Sequence, residues 1–283
     1  MKYLVLGGSG MAGHVIATYL MEQGEIVETV ARRNVKFCET HIADVRNLEL
    51  LKKIVLDGNY DYIINCIGIL NTACERDITN AILINSYMPH FLADITFHTN
   101  TRLIHMSTDC VFSGKKGGYS ENDIPDGETL YDKTKALGEV IDDRNLSFRN
   151  SIVGPDINEN GIGLFNWFMK QSGEISGFEK SIWTGVTTIT LAKAIYEASK
   201  IKLIGLYNLV NNKPISKYEL LVLFNKYMNK DIKINRLAGK IQDKSLICKR
   251  TDFDFIVPSY EEQIQEMAEW INMHKEMYPH YFY

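Results

Sequence analysis

The feature that most constrains this chain is an alternation. Over residues 1–155, short Val/Ile/Leu-rich runs bounded by turn residues exchange with helical patterns. "KYLVLG" (2–7), "EIVETVA" (25–31), "YDYIINCIG" (60–68), "TRLIHMST" (101–108) and "LSFRNSIVG" (146–154) predict strands. Helical spacing lies near 11–23, 46–57, 75–99 and 129–145, and Pro89 should kink or divide the third of these. Runs that stay apolar on both faces and are separated by helices pair in parallel under helical cover. The expectation is an α/β fold built on a doubly wound parallel sheet.

Beyond residue 154 the rhythm changes. Helical patterns fall at 161–172, 188–200, 215–229 and 259–277, with short strands "GLYNLV" (205–210) and "IKINRL" (232–237) between them. Residues 156–283 thus read as a smaller α/β substrate lobe. With no Ser/Gly/Pro-rich tether, it should pack directly on the first 155 residues, and chain exchange between the two is allowed. The tail "EEQIQEMAEWINMHKEMYPHYFY" reads as an amphipathic helix with an aromatic end that packs on the body.

Charge removes several function classes. The net charge is -4, so there is no basic field for nucleic acid or an anionic membrane. No apolar stretch reaches membrane-spanning length. Five cysteines lie scattered without CxxC spacing, which fits reduced thiols in the cytoplasm. Seven histidines are equally dispersed, and no structural metal is expected. The sequence leaves a homodimer open.

The first strand runs into "LGGSGMAGHV", which sets Gly7, Gly10 and Gly13, with Ser9 and Met11 between them, at a strand-to-helix turn. Glycine permits a tight turn and close approach of backbone to phosphate, and the helix N-terminus offers unpaired N–H groups to a pyrophosphate. A Rossmann-type nucleotide site follows. The second strand ends "TVARRN": an acidic residue there would hold the ribose hydroxyl of NADH, whereas Arg32 and Arg33 suit the 2′-phosphate of NADPH.

"ETLYDKTKALGE" places Tyr131 and Lys135 one helical turn apart on one face, a spacing that by itself describes an ordinary surface ladder. Upstream, "IHMSTDCVFSG" puts Ser107, Thr108 and Asp109 at the end of a strand, where ligands bind in open parallel sheets. A phenol is a poor acid or base near neutrality until a close cation favours its phenolate, and a nearby hydroxyl can orient a carbonyl.

The GxxGxxG spacing, the strand-end Thr108 and the YxxxK pair resemble the extended branch of the short-chain dehydrogenase/reductase superfamily. "STDCVFSGKKGGYSENDIPDGETLYDKTKALGE" and "LSFRNSIVGP" resemble the dTDP-4-dehydrorhamnose reductase family within it. The resemblance covers most of residues 1–155 and becomes diffuse beyond residue 160. It implies that Asp44 and Val45, after the third strand, border the adenine, and that Cys66, Ile67 and Gly68 pass along the cofactor ribose. Asn85 would support the active site from its helix. Thr108, Tyr131 and Lys135 would be catalytic: Lys135 lowers the phenol pKa and binds the nicotinamide ribose, Tyr131 delivers the proton, and Thr108 fixes the carbonyl. The implied activity is NADPH-dependent reduction of a nucleotide-activated 4-keto-6-deoxy sugar for surface polysaccharide, with NADH less favoured.

Two residues depart from that pattern. Asp132 follows the tyrosine where the family has glycine, which bears on how the helix starts. Cys110 replaces an aromatic residue; in the related GDP-fucose synthase a cysteine at the matching place serves epimerisation. A combined epimerase–reductase is therefore one alternative, although "DINENGIGLFNWF" lacks the histidine that should complete the pair. A non-catalytic regulatory subunit is another, since the methionine adenosyltransferase β subunit resembles the same family. Dehydratases carry Thr-Asp-Glu where this chain has Thr108-Asp109-Cys110, which speaks against dehydration. For substrate the candidates are Thr108, Asp109, Cys110 and the loop-like Trp183, Thr184 and Gly185. Phe165 and Trp167 are weaker, because aromatics at helical spacing more often belong to a core.

Overall fold

The alternation folds as a doubly wound sheet. A computed structural model describes residues 1–239 and 242–282. The chain runs β1 (Lys2–Leu6), α1 (Met11–Glu22), β2 (Ile26–Ala31), β3 (Glu39–Ile42), α2 (Leu48–Asp57), β4 (Tyr62–Asn65), α3 (Thr72–Arg76), α4 (Ile78–Ile82), α5 (Met88–Ile95), β5 (Arg102–Thr108), α6 (Leu130–Leu137), β6 (Leu146–Asn150), β7 (Ile152–Val153), α7 (Leu164–Met169), β8 (Glu174–Phe178), β9 (Ser181–Trp183), β10 (Val186–Thr187), α8 (Thr188–Ile201), β11 (Gly205–Asn208), β12 (Ile215–Ser216), α9 (Lys217–Tyr227), β13 (Lys233–Leu237), β14 (Gln242–Asp243) and α10 (Tyr260–Met273).

Seven strands form one sheet in the order β3-β2-β1-β4-β5-β6-β11, and each pair in it is parallel. Strand alternation assigns the two covers. Tyr3 and Val5 of β1 join the layer that holds Val15 and Ile16 of α1, Ile195 of α8 and Ile264 of α10. Leu4 and Leu6 point the other way, to Leu51 and Val55 of α2 and Leu92 of α5. The winding reverses between β1 and β4, so a crevice opens at their C-terminal ends, where a doubly wound sheet binds its ligand.

Four expectations about element boundaries are modified. The helix expected over 75–99 divides at Asp77 rather than at Pro89: Asp77 caps α4 by accepting from Asn80 N, and the backbone then stays helical through a π turn at Leu83–Tyr87 into α5, with Pro89 in its first turn. A proline is tolerated there because the first turn has no intrahelical use for its missing N–H. The helix expected over 129–145 ends at Leu137, since Gly138 passes so close to the Asn85 carbonyl that a Cβ there would overlap it. The strand expected over 146–154 is two: β6 stays in the large sheet and β7 leaves to pair with β10. Finally, Gly205–Asn208 is the seventh strand of the large sheet, and α8 packs in the α1 layer, so residues 188–208 return to the first half of the chain.

The remaining short strands pair as β12-β9-β14 and β13-β8. The tail packs on the body: Tyr278 is fully buried. Its hydroxyl accepts from Trp270 Nε1 (3.0 Å) and meets His14 Nε2 on α1 (2.7 Å). Tyr283 lies outside the described residues. Among the described residues no helix is long and apolar enough to cross a membrane.

Candidate active site

The glycine turn is shaped by close approach. Gly7 has φ +90° and donates to Val30 O (2.9 Å), while Gly10 N donates back to Gly7 O (2.9 Å). A Cβ at Gly13 would overlap that same Gly7 oxygen, so α1 can sit against the turn only with glycine there. Gly10 caps α1 without a side chain, which leaves the first-turn N–H groups available to an anion. Ser9 and Met11 are half-buried in the turn, and Met11 Sδ approaches Gly163 before α7.

The reacting groups meet at the end of β5. Thr108 Oγ1 donates to Asp109 Oδ1 and accepts from Cys110 N, both at 3.1 Å. The α6 helix opens with a reciprocal capping box: Asp132 N donates to Thr129 Oγ1 (3.1 Å), and Thr129 N to Asp132 Oδ2 (3.2 Å). Asp132 thus fixes the helix start, which answers the question raised by its replacing a glycine. One turn apart, Tyr131 and Lys135 are both buried, and the Thr108 hydroxyl lies beside the phenol.

Their charges depart from the simplest expectation. Burial, then the adjacent Cys110 and Asp109, push the Tyr131 phenol up rather than down. Lys135 does not hydrogen-bond the phenol; its Nζ donates to Met106 O (2.6 Å) and lies 3.4 Å from His105 Nε2. A buried ammonium turns to the nearest acceptors, here the carbonyl edge of β5 and a ring nitrogen. Burial holds Lys135 down to about 8. Burial also raises the Asp109 carboxyl and pushes the Cys110 thiol up to about 12.

Asn85 sits in the π turn and ties the site together. Its amide accepts from Ile69 N (2.8 Å) and donates to Ile69 O (2.9 Å) and Thr134 Oγ1 (3.1 Å). It thereby clamps the loop carrying Cys66, Ile67 and Gly68 to α6. Ile67 lies against Gly7, and burial pushes the Cys66 thiol up to about 12. Past the second and third strands, Val45 is buried and Arg32 and Arg33 are exposed after β2. Arg32 lies near Asp44, and Arg33 near Asp156 of the second half. The Asp44 carboxylate is already engaged by Arg46 Nε (3.0 Å), which holds it down to about 2.

A cleft of about 480 Å³ opens over Asp109 and Cys110. Trp183 lines it from the end of β9, where a loop was expected, and packs on Tyr260 with ring centroids 5.7 Å apart. Thr184 does not line it: its hydroxyl is buried and accepts from Leu246 N (2.9 Å). Phe165 is core, and Trp167 is exposed on α7. Sequence reasoning missed Lys217, Gln242 and Lys244, which also line the cleft. Lys217 left a trace, because a lysine at the first position of a helix opposes the macrodipole and needs another reason to be there. Lys244 lies 3.8 Å from Asp132 and left no such trace.

The family model described as the RmlD substrate binding domain matches residues 1–243. The chain belongs to this family. Relatives agree with that membership. A probable low-salt glycan biosynthesis reductase of Haloferax volcanii is 31% identical over 143 residues, which are 49% of this chain and 48% of the relative. The chain thus spans about half the length of the curated relatives it matches. A solved dTDP-4-dehydrorhamnose reductase from Clostridium acetobutylicum superposes with a TM-score of 0.81 at 21% identity, covering 96% of this chain and all of that one. Another from Bacillus anthracis, in complex with NADP, gives 0.81 at 19% identity over 95% and 99%. At these identities the likeness shows the fold, which in this family member extends through the short strands of the second half. Among the described residues no group of His, Cys, Asp and Glu is arranged to hold a metal ion.

Proposed function

We propose that this family member is an NADPH-dependent reductase of a nucleotide-activated 4-keto-6-deoxy sugar, serving deoxysugar synthesis for surface polysaccharide. The observation that carries the reading is convergence. Thr108 lies beside the Tyr131 phenol at the C-terminal end of β5, Lys135 reaches the same strand at Met106 O, and their neighbours Asp109, Cys110 and Asp132 line the cleft. Family membership and the names of its relatives support the substrate class.

The residues present fit a dinucleotide. The Gly7–Gly13 turn is held tight by glycines that leave no room for a Cβ at Gly13, and the uncapped α1 N-terminus suits a pyrophosphate. Gly7, Ser9, Gly10, Met11 and Gly13 would hold that group, Arg32 and Arg33 a 2′-phosphate, and the Cys66–Gly68 loop and Lys135 the ribose. When bound, the dinucleotide supplies a hydride to the carbonyl carbon. Thr108 donates to the carbonyl oxygen and orients it, Tyr131 gives that oxygen its proton, and Lys135 stabilises the resulting phenolate. Asp109, Cys110 and Trp183 border the sugar. Residues 1–155 with 188–208 would serve the cofactor, and the rest the substrate. Five free cysteines suit a reducing cytoplasm.

The epimerase alternative needs Cys110 to move protons from carbon, and a thiol pushed up to about 12 beside a buried carboxyl is poorly placed for it. The decisive experiment offers a panel of nucleotide-4-keto sugars with NADPH, follows cofactor absorbance and reads product stereochemistry by NMR. No oxidation with any member of the panel would favour the regulatory-subunit reading. Arg32→Ala with Arg33→Ala should cost NADPH about tenfold in affinity or more and leave NADH unchanged.

A further inference from the structure

Behind Lys135 lies a chain of hydrogen bonds that the proposed reaction does not use. Asn65, at the end of β4, and His105, in β5, are both fully buried. Asn65 Oδ1 accepts from Ile67 N (3.2 Å), so its Nδ2 is the atom that faces His105 Nδ1 at 3.2 Å. An amide nitrogen only donates, which makes Nδ1 the bare nitrogen and puts the ring proton on Nε2. That N–H faces Lys135 Nζ at 3.4 Å, while Nζ donates to Met106 O.

An uncharged amine satisfies every member of this chain. Its lone pair accepts from His105 Nε2 and one N–H donates to Met106. An ammonium has no lone pair, so N–H is left facing N–H. Moving the ring proton to Nδ1 transfers the conflict to Asn65 Nδ2. Turning the amide over as well transfers it to Ile67 N. No arrangement removes it while Lys135 is charged, and a buried unsatisfied donor is costly.

We propose that His105, held by Asn65, is a positioning residue that makes Lys135 ready to release its proton, and that Asn65 ties this readiness to the 66–69 cofactor loop. The inference rests on the reading of Lys135 as the site's cation. After a reduction, an N–H bond of the ammonium breaks, its proton passes towards the Tyr131 oxygen, and the lone pair left on Nζ accepts from His105.

Few charges surround Lys135. Glu139, just past α6, favours the ammonium, but its carboxylate is engaged by Arg149 Nε (2.6 Å), Arg149 Nη2 (2.7 Å) and Ser107 Oγ (2.7 Å). Cys66 after β4 is a neutral thiol, and Tyr131 on α6 a neutral phenol. His90 of α5 acts on His105, which burial keeps neutral. Burial of Lys135 works in the same direction as the chain, so the test must separate the two.

The first measurement uses the unaltered protein: ¹⁵N NMR of its histidine rings. A bare Nδ1 and a protonated Nε2 on His105 are expected; the opposite tautomer overturns the proposal. The second follows the Lys135 ¹³Cε signal through pH, assigned with Lys135→Met. Asn65→Asp supplies an acceptor to both Ile67 N and an Nδ1–H, so the Lys135 midpoint should rise by about one unit or more. In a His105→Phe background the same substitution should move it far less. An equal rise in both would mean plain charge attraction and would sink the idea. If these variants fail to fold, the tautomer still decides. Neither measurement reads turnover, so failure of the reductase reading would show separately, in the absorbance assay.

Discussion

The two walls of the cleft are made differently. The wall from the first half is set by a strand end and a capped helix: Asp109 and Cys110 follow directly on β5, Thr129 and Asp132 open α6, and the reciprocal cap between these last two fixes where α6 begins, with Thr108 and Tyr131 just behind. The facing wall comes from strands of two or three residues, with Trp183 at the end of β9, Gln242 in β14 and Lys244 just past it. The groups assigned to the proposed chemistry thus sit on regular elements, whose geometry the backbone dictates. Those assigned to substrate choice sit on short pieces that other members of a fold can exchange at small cost to the sheet.

The comparison can be broken at either wall. The largest effect is expected at the first. Tyr131→Phe keeps the ring and removes the proton donor, so turnover should fall by at least about 10² while NADPH affinity, read by fluorescence titration, stays within about twofold. Near-normal turnover would place the chemistry elsewhere.

Next comes the seam between the halves. His14 Nδ1 donates to Gly10 O (2.8 Å), so its Nε2 accepts from Tyr278, and burial holds the ring down to about 4 against an ordinary 6.5. The unfolded chain takes up a proton below 6.5 and the folded one does not. Stability is therefore lost as pH falls from 6.5 towards 4, by about 2 kcal/mol at pH 5. Urea denaturation at pH 7 and pH 5 measures this, and His14→Gln should shrink the difference; an unchanged difference would assign the acid sensitivity to other groups.

At the far wall, Lys217→Ala with Lys244→Ala should raise KM for the sugar nucleotide about tenfold and leave kcat within about threefold. A fall in kcat alone would move these lysines from selection to chemistry and erase the contrast. The smallest effect returns to the first wall: Thr129→Ala removes one half of the α6 cap and should cost about 1 kcal/mol of stability in thermal unfolding.

Legibility followed the same division. The glycine turn, the YxxxK pair and the strand-end threonine could be read because each couples a residue type to a periodic element at fixed spacing. Pro89 misplaced the helix break, which falls at Asp77, because a proline is accepted just after the π turn. Thr184 was misleading: a hydroxyl beside a tryptophan looks like a ligand contact, but the Leu246 N–H claims it. Lys244 could not be found, because nothing local distinguishes it; only the pairing of β14 with β9 carries it to Asp132. Asn85 could be suspected from resemblance alone, since the π turn that aims it has no periodic signature. His105 and Asn65 fall inside predicted strands and drew no notice there; they are buried, and their polarity matters because Lys135 is buried beside His105.

The contact between His14 and Tyr278 spans 264 positions in the chain. During synthesis α1 has only the local Gly10 carbonyl for its imidazole until the tyrosine 264 positions later has emerged. The glycine turn is therefore made well before the helix behind it can be completed. Damage to the segment around Tyr278 should therefore be felt at α1 and the glycine turn, as slower maturation of that corner of the fold.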